Sequence, residues 1–208
     1  MHAIRRLIAE LLAVTFPARC AACDRVIAPE DDGLCPGCSA ETLGLIGQDY
    51  CNKCGQDAGP FALKPAGQPG VSVCGLCNEG LSRYDSLVRV GAYSDPLGGM
   101  IRKFKYADRQ HLAGVLGRWQ AARLAAQPWC ERVDAFVPVP MHWRRRLGRG
   151  FNQSELLAER VGSRLSRPVL RALSRPVSRP PQASLPRSKR FENVRGVFSV
   201  IARSSAIR

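Results

Sequence analysis

Eight of the nine cysteines fall into four CxxC pairs, and all four pairs lie within the first 77 residues. Random placement of nine cysteines would give about 0.35 such pairs, so four pairs indicate a functional arrangement. Two thiolates separated by two residues can bind one metal ion, and two such pairs complete the tetrahedral four-thiolate shell that Zn(II) prefers. The sequence therefore predicts two zinc ions, with these eight ligands: Cys20, Cys23, Cys35, Cys38, Cys51, Cys54, Cys74 and Cys77.

The spacing of the pairs leaves two ways of sharing the ligands. Successive pairs are separated by 11, 12 and 19 residues, so they can combine in sequential order or interleave. Sequential pairing is favoured because shorter loops lose less entropy on closure. Gly55 and Asn78 follow the third and fourth pairs and tolerate the positive φ at which a metal knuckle turns. A closed four-thiolate shell has no open coordination position, which favours a structural role for the metal over a catalytic one.

A disulfide scaffold and a redox CxxC centre are the alternatives to zinc. The scaffold requires an oxidising compartment, but the N-terminus does not fit a secretion signal, because Glu10 interrupts its apolar stretch and Arg19 occupies the cleavage region. Residues 1–16 are predicted instead to form an amphipathic helix. Because the N-terminus does not fit a secretion signal, the expected location is the cytoplasm. No apolar run reaches the length of a membrane span. A redox role fits one CxxC pair better than four, and Cys130 is interpreted as a buried thiol.

Positive charge is concentrated towards the C-terminus. Residues 141–208 carry 16 Lys or Arg against 3 Asp or Glu, whereas residues 1–140 carry 15 against 14. This asymmetry predicts a polyanionic partner, either a phosphorylated small molecule or a nucleic-acid backbone. A solvated basic tail over residues 164–190 is the alternative.

Beyond the cysteine pairs, strand and helix patterns alternate. Strands are predicted at 86–93 and 133–140, and helices at 96–106, from an N-cap at Asp108, and from Asn152, where Glu155 has the offset of a capping box. Such alternation predicts an α/β domain with a parallel sheet and flanking helices. The expected organisation is a helix at 1–16, a double zinc ribbon at 17–80 and an α/β domain at 81–208.

The segment that follows the second predicted strand carries four arginines: Arg144, Arg145, Arg146 and Arg149. Ligands of open α/β sheets lie beyond the carboxyl ends of the strands, and this arginine loop is predicted there, just before a helix N-terminus. Guanidinium groups and the first N–H groups of a helix both favour phosphate. A solvated surface loop is the alternative, and His142 within it is interpreted as a loop residue rather than a general base.

Several strings in the chain resemble the ComF family of competence-related bacterial proteins, which join a zinc-ribbon module to a type I phosphoribosyltransferase-like domain. The most specific string is Arg149-Gly-Phe-Asn-Gln153. The others are Val137-Pro-Val-Pro140, Arg144-Arg145, Ile101-Arg-Lys-Phe-Lys-Tyr106, Pro180-Pro-Gln-Ala183 and Asn193-Val-Arg-Gly196. The resemblance covers residues 16–200 and implies a role in DNA uptake, with single-stranded DNA or proteins of the competence machinery as partners.

The resemblance also implies a phosphate-binding site. Lys105 belongs to the family's Lys-Tyr motif, Arg144 and Arg145 would meet pyrophosphate, and Arg149, Asn152 and Gln153 would order that loop. Residues 180–193 would form a mobile loop whose Arg190 neutralises departing pyrophosphate. The reaction moves a phosphoribosyl group from Mg(II)-bound phosphoribosyl pyrophosphate to a nitrogen nucleophile, and electrostatic clamping supplies most of the catalysis.

One family motif is missing. No adjacent aspartates occur after residue 32, so the Asp-Asp/Thr-Thr-Gly loop that holds phosphoribosyl pyrophosphate is absent, and the predicted parallel sheet is incomplete. The expectation is a C-terminally truncated or frameshifted transferase-like protein that lacks transferase activity and binds Mg(II)-phosphoribosyl pyrophosphate only if the loop is restored. The alternative is a module that binds single-stranded nucleic acid through its basic C-terminal half.

Overall fold

The computed structural model describes residues 17–28, 31, 33–57, 63–65, 71–75, 77, 84–107 and 109–201. The predicted helix at 1–16 and the predicted N-cap Asp108 lie outside this part of the chain. Two compact units are present, residues 1–103 and residues 104–208. Among the described residues, no helix combines the length and the apolar character that crossing a bilayer requires.

The described residues of the first unit contain little regular secondary structure. Helix α1 spans Pro36–Leu45, and strands β1 (Leu63–Pro65) and β2 (Ser72–Cys74) pair antiparallel. Helix α1 starts at a proline, which needs no N–H partner in the first turn, and it ends where Ile46 becomes extended. Helix α2 follows at Leu97–Tyr106, close to the predicted 96–106, and its last three residues belong to the second unit.

The predicted strand at 86–93 forms a single antiparallel bridge, between Gly91 and Ile46. Ala92 N donates to Leu45 O at 3.2 Å beside it. A Cβ at Gly91 would lie 2.4 Å from Leu45 O, so this approach of two backbones requires glycine. The prediction of a full strand was wrong because the end of α1 offers only this short edge for pairing.

Helices dominate the second unit: α3 (Leu112–Ala125), α4 (Trp143–Arg149), α5 (Gln153–Leu165) and α6 (Arg187–Val194). Short 3-10 turns lie at Cys130–Arg132 and Gln182–Ser184, and strands β3 (Leu173–Ser174) and β4 (Ser199–Val200) pair antiparallel. Helices α3 and α5 pack closely at Gly117. A Cβ added at Gly117 would lie 2.6 Å from the Cβ of Arg160, so glycine leaves the room that this side chain needs. Leu112, Leu116 and Val161 are buried.

The predicted parallel sheet is reduced to one contact among the described residues. Phe136 forms a parallel bridge with Val169: Phe136 N donates to Pro168 O at 2.9 Å, and Leu170 N donates to Phe136 O at 2.8 Å. Helices α4 and α5 lie between Phe136 and Val169 in the chain and form the crossover that a parallel pairing requires. Pro138 and Pro140 follow Phe136 and have no N–H to extend the pairing.

Candidate metal centres and basic clefts

Each half of the cysteine-rich region begins with the same backbone turn. In the first, Cys20 N donates to Arg25 O at 2.8 Å and Asp24 N donates to Cys20 O at 3.0 Å. In the second, Cys51 N donates to Gln56 O at 3.0 Å and Gly55 N donates to Cys51 O at 2.8 Å. Asp24 and Gly55 have positive φ, 61° and 73°. The prediction for Gly55 is confirmed, and Asn78 lies outside the described residues.

The eight sulfur atoms form two compact clusters. Within each cluster all four Sγ atoms lie within 4.8 Å of one another, and the members are Cys20, Cys23, Cys35 and Cys38 in the first and Cys51, Cys54, Cys74 and Cys77 in the second. Pairing is therefore sequential, and the interleaved alternative is excluded.

The dimensions of the clusters fit zinc. Cys23 Sγ lies 3.8 Å from Cys35 Sγ, and Cys54 Sγ lies 3.9 Å from Cys74 Sγ. A tetrahedral shell with Zn–S bonds of about 2.3 Å has sulfur atoms about 3.8 Å apart. None of these eight cysteines forms a disulfide bond. The clusters thus provide two closed four-thiolate sites, one for each of two zinc ions.

The surroundings of the thiols set unequal pKa values within each cluster. Arg25 Nε donates to Cys23 Sγ at 3.4 Å, and this bond lowers the pKa of Cys23 to about 6. Desolvation acts to raise the pKa of Cys51, but backbone N–H groups, foremost that of Cys74, outweigh it and lower the pKa to about 6. Desolvation raises the pKa of Cys77 to about 12 and also raises that of Cys38. A metal ion must therefore displace protons from the less acidic thiols as it binds.

Asn52 holds the second cluster in place. Its side chain is buried, its Oδ1 accepts from Ser72 N at 2.8 Å and its Nδ2 donates to Leu87 O at 3.4 Å. Its backbone N–H donates to Ser72 O at 2.8 Å, and its carbonyl accepts from Leu87 N at 2.7 Å. One residue next to a zinc ligand thus joins the knuckle to β2 and to residue 87.

Arg89 provides a second support for the same knuckle. Its guanidinium lies 4.7 Å from the centre of the buried Tyr50 ring, donates to Gly55 O at 2.9 Å and pairs with Asp57. On the first knuckle, Lys103 Nζ donates to Ala22 O and to Asp24 Oδ2, both at 2.6 Å. Sequence reasoning missed these supports, because Asn52 and Arg89 carry no motif of their own and the Ile101–Tyr106 string that contains Lys103 pointed to Lys105 instead.

The predicted arginine loop is a helix. Arg144, Arg145, Arg146 and Arg149 all belong to α4, which begins after the buried His142. His142 Nδ1 accepts from Arg144 N at 3.3 Å, so this residue is an N-cap. Loop geometry was the wrong expectation, because the residues from Trp143 to Leu147 contain no glycine or proline to oppose a helical turn.

Helix α5 begins as predicted, with a different role for Glu155. Asn152 caps it by accepting from Ser154 N at 3.2 Å, and its Nδ2 donates to Val139 O at 3.1 Å. Glu155 does not complete a capping box: it pairs with Arg171 and lies 3.5 Å from Arg146 Nη1. Two guanidinium groups are stronger partners for a carboxylate than one backbone N–H, which explains the difference.

Three of the predicted phosphate-binding residues come together. Lys105 and Arg149 line a cleft of about 380 Å³, here called the Lys105 cleft, with Tyr106, Gly148, Gly150 and Phe151. The Arg149 guanidinium lies 5.0 Å from the centre of the Tyr106 ring. Gln153 Nε2 donates to Lys105 O at 3.4 Å and fixes the backbone of the cleft. Asn152 holds the start of α5 immediately after Phe151.

Three other predicted residues point to different partners. Arg144 lies over the Trp143 ring, 5.2 Å from its centre. Arg145 donates to Arg179 O, and Arg190 Nε donates to Leu185 O at 3.0 Å. The predicted mobile segment 180–193 contains a 3-10 turn and most of α6, and Asn193 Nδ2 donates to Pro180 O at 3.2 Å across it.

Comparison with known proteins places these features in a family. A family model described as "Double zinc ribbon domain" matches residues 11–78. Competence protein F of Haemophilus influenzae is 28% identical over 189 residues, which cover 89% of this chain and 77% of that protein. This similarity supports the ComF family. The chain is also 30% identical to the DNA utilization proteins YhgH of Salmonella typhi and Escherichia coli.

The extent of these matches differs. The YhgH matches cover 70% of this chain and 61% of each relative, so the chain spans less than two thirds of their length. No solved structure matches the chain significantly. The double zinc ribbon, with two four-cysteine sites, is the part that sequence, family model and geometry describe in the same way.

Proposed function

We propose that this chain belongs to the ComF family and acts in the cytoplasm, in DNA uptake or in the use of incoming DNA, as a phosphoribosyltransferase-like protein whose zinc ribbons are structural. The observation that carries the proposal is the similarity to competence protein F, which extends over 89% of the chain and therefore includes both units. The names of the YhgH relatives, DNA utilization proteins, support the same process.

The Lys105 cleft supports a phosphate-binding role for the second unit. Lys105 and Arg149 bring two positive charges to a cleft of about 380 Å³, and the described residues that line it include no carboxylate. Gly148 and Gly150 leave the backbone around Arg149 accessible to a close ligand. A phosphorylated ligand would gain charge-assisted hydrogen bonds from both cations.

We propose further that these 208 residues do not catalyse phosphoribosyl transfer. The ribose hydroxyls of phosphoribosyl pyrophosphate need acidic partners, and the sequence after residue 32 has no adjacent aspartates. We expect no micromolar binding of Mg(II)-phosphoribosyl pyrophosphate by the 208-residue chain in isothermal titration calorimetry. Micromolar binding would refute this part of the proposal and would establish a competent transferase site.

Binding of single-stranded DNA is the second candidate function, and the charge of +13 on residues 141–208 favours it. In the Lys105 cleft, Tyr106 is 68% exposed with the Arg149 guanidinium over its ring, an arrangement suited to a stacked base beside a phosphate. Such binding depends strongly on salt, because each phosphate contact releases a counterion.

The Arg149→Gln variant tests this candidate. Fluorescence anisotropy with a labelled 20-nucleotide single strand is expected to show about tenfold weaker binding and a slope of log affinity against log salt that is smaller by about one. Arg164→Gln is the matched control, because Arg164 is exposed on α5 and lies outside the lining of the cleft. Equal losses in the two variants, or affinity that does not change with salt, would contradict DNA binding at the cleft.

A further inference from the structure

A second cavity in the unit formed by residues 104–208 has no assigned role. It has a volume of about 350 Å³ and lies beside α4, α5 and β3. Its lining includes Trp143, Arg146, Glu155, Arg171, Leu173 and Arg175, and we call it the Arg175 cavity. None of these residues lines the Lys105 cleft. Its volume falls within the range of about 300–1,000 Å³ that is typical of small-molecule sites.

The carboxylate that lines the Arg175 cavity, that of Glu155, already pairs with arginines of the protein. Glu155, whose side chain is 11% exposed, pairs with Arg171 and lies 3.5 Å from Arg146 Nη1. Arg171 also contacts Glu159 Oε1 at 3.0 Å. Glu155 thus holds two guanidinium groups in fixed positions without cancelling the positive charge of the cavity, whose lining contains three arginines and one carboxylate.

Of the three arginines that line the cavity, Arg175 has no ion pair with a carboxylate among the described residues. Its Nε is buried and has no hydrogen-bond partner among the described residues, and its guanidinium lies 5.6 Å from the centre of the Phe198 ring. Burial lowers the pKa of Arg175, and repulsion from Arg145 lowers it further. Arg175 lines the cavity, so an anion bound against its guanidinium would offset both effects.

The remaining lining suits a planar apolar group. Trp143 is 59% exposed at the cavity, and Pro138, Met141 and Leu173 contribute apolar surface. Arg144 lies over the Trp143 ring at 5.2 Å. Aromatic rings that carry a guanidinium on one face are common stacking partners of nucleobases. The cavity therefore places an aromatic ring suited to stacking and a cluster of arginines within the size of one small ligand.

We propose that the Arg175 cavity binds a nucleotide, with the base against Trp143 and the phosphate on Arg146 and Arg175. The ligand is a free nucleotide or the phosphorylated end of a single strand, since both present the same base and phosphate. The inference does not rest on the proposed function, because it uses other residues than the Lys105 cleft and needs neither phosphoribosyl transfer nor a stacked base on Tyr106.

Titration calorimetry on the full chain with deoxyadenosine monophosphate tests the inference. We expect binding that Arg175→Gln and Arg146→Gln each weaken by about tenfold or more, the effect of losing one charge-assisted hydrogen bond. Arg164→Gln, which removes the same charge from an exposed position of α5, is expected to change affinity by less than about twofold. Arg146 is 59% exposed, so its replacement keeps the test valid if Arg175→Gln does not fold.

Further ligands identify which form of nucleotide is bound. Deoxyadenosine and inorganic phosphate are each expected to bind at least about tenfold more weakly than the nucleotide, because each lacks one of the two contacts. Tighter binding of a 5′-phosphorylated (dA)10 strand, lost in Arg175→Gln, would assign the site to a strand end, and equal binding would assign it to free nucleotides. Equal losses in Arg175→Gln and Arg164→Gln, unchanged affinity in both cavity variants, or no binding of either ligand would overturn the inference.

Discussion

Replacement of Cys51 by serine is expected to lower the zinc content from two ions per chain to one. Cys51 is fully buried in the second cluster and accepts a hydrogen bond from Cys74 N at 3.3 Å, so its thiolate is both a ligand and part of the backbone framework. A structural zinc contributes about 10–16 kcal/mol to the folding of small metal domains, and this site should lose most of that contribution. Inductively coupled plasma mass spectrometry of the purified variant measures the change.

The control for this prediction is Cys130→Ser, which removes a thiol outside both clusters and is expected to retain two zinc ions. Cys20→Ser is expected to lose the zinc ion of the first cluster and to keep that of the second, because Cys20 is fully buried in the first cluster. Loss of both ions in Cys51→Ser would show that the two sites are not independent. Retention of both would show that Cys51 is not a ligand.

Replacement of Phe104 by alanine is expected to destabilise the second unit by about 3–5 kcal/mol. Phe104 is 2% exposed, and its ring centre lies 5.6 Å from that of Phe151. Truncation leaves a cavity and removes the ring contact that supports Phe151, a residue of the Lys105 cleft. Urea unfolding followed by far-ultraviolet circular dichroism measures the difference in the free energy of unfolding.

Phe191→Ala is the matched control. Phe191 is 76% exposed on α6, so the same truncation is expected to change the free energy of unfolding by less than about 0.5 kcal/mol. Similar effects of the two substitutions would contradict the assignment of Phe104 to the core of this unit.

The metal sites could be predicted from the sequence because their determinants are local. Ligand identity and two-residue spacing define each half-site, and loop-closure entropy correctly favoured sequential pairing. Gly55 could be placed at a turn because few residue types accept its φ of 73°. Asp24 has the equivalent conformation, but an aspartate predicts a turn less strongly than a glycine does. The carboxylate of Asp24 is held by Lys103, a partner that is distant in sequence and could not be foreseen.

Features that depend on distant partners could not be predicted. Glu155 has the spacing of a capping box, yet its carboxylate pairs with Arg171, 16 residues away. The alternating segment 86–93 fits a strand, but only Gly91 finds a bridge partner. Likewise, the arginines of α4 look like one phosphate site in sequence, whereas helical geometry directs Arg146 and Arg149 to different cavities. Periodicity specifies a face of an element, and tertiary packing decides what that face meets.

The two sulfur clusters share no thiol, and this separation shapes how the protein responds to scarce zinc. If the sites fill independently, as the Cys51→Ser and Cys20→Ser variants test, metal uptake is stepwise rather than all-or-none. Four occupancy states are then expected for one chain, and two of them hold a single ion. Cellular zinc supply would then set the proportions of these species in graded fashion.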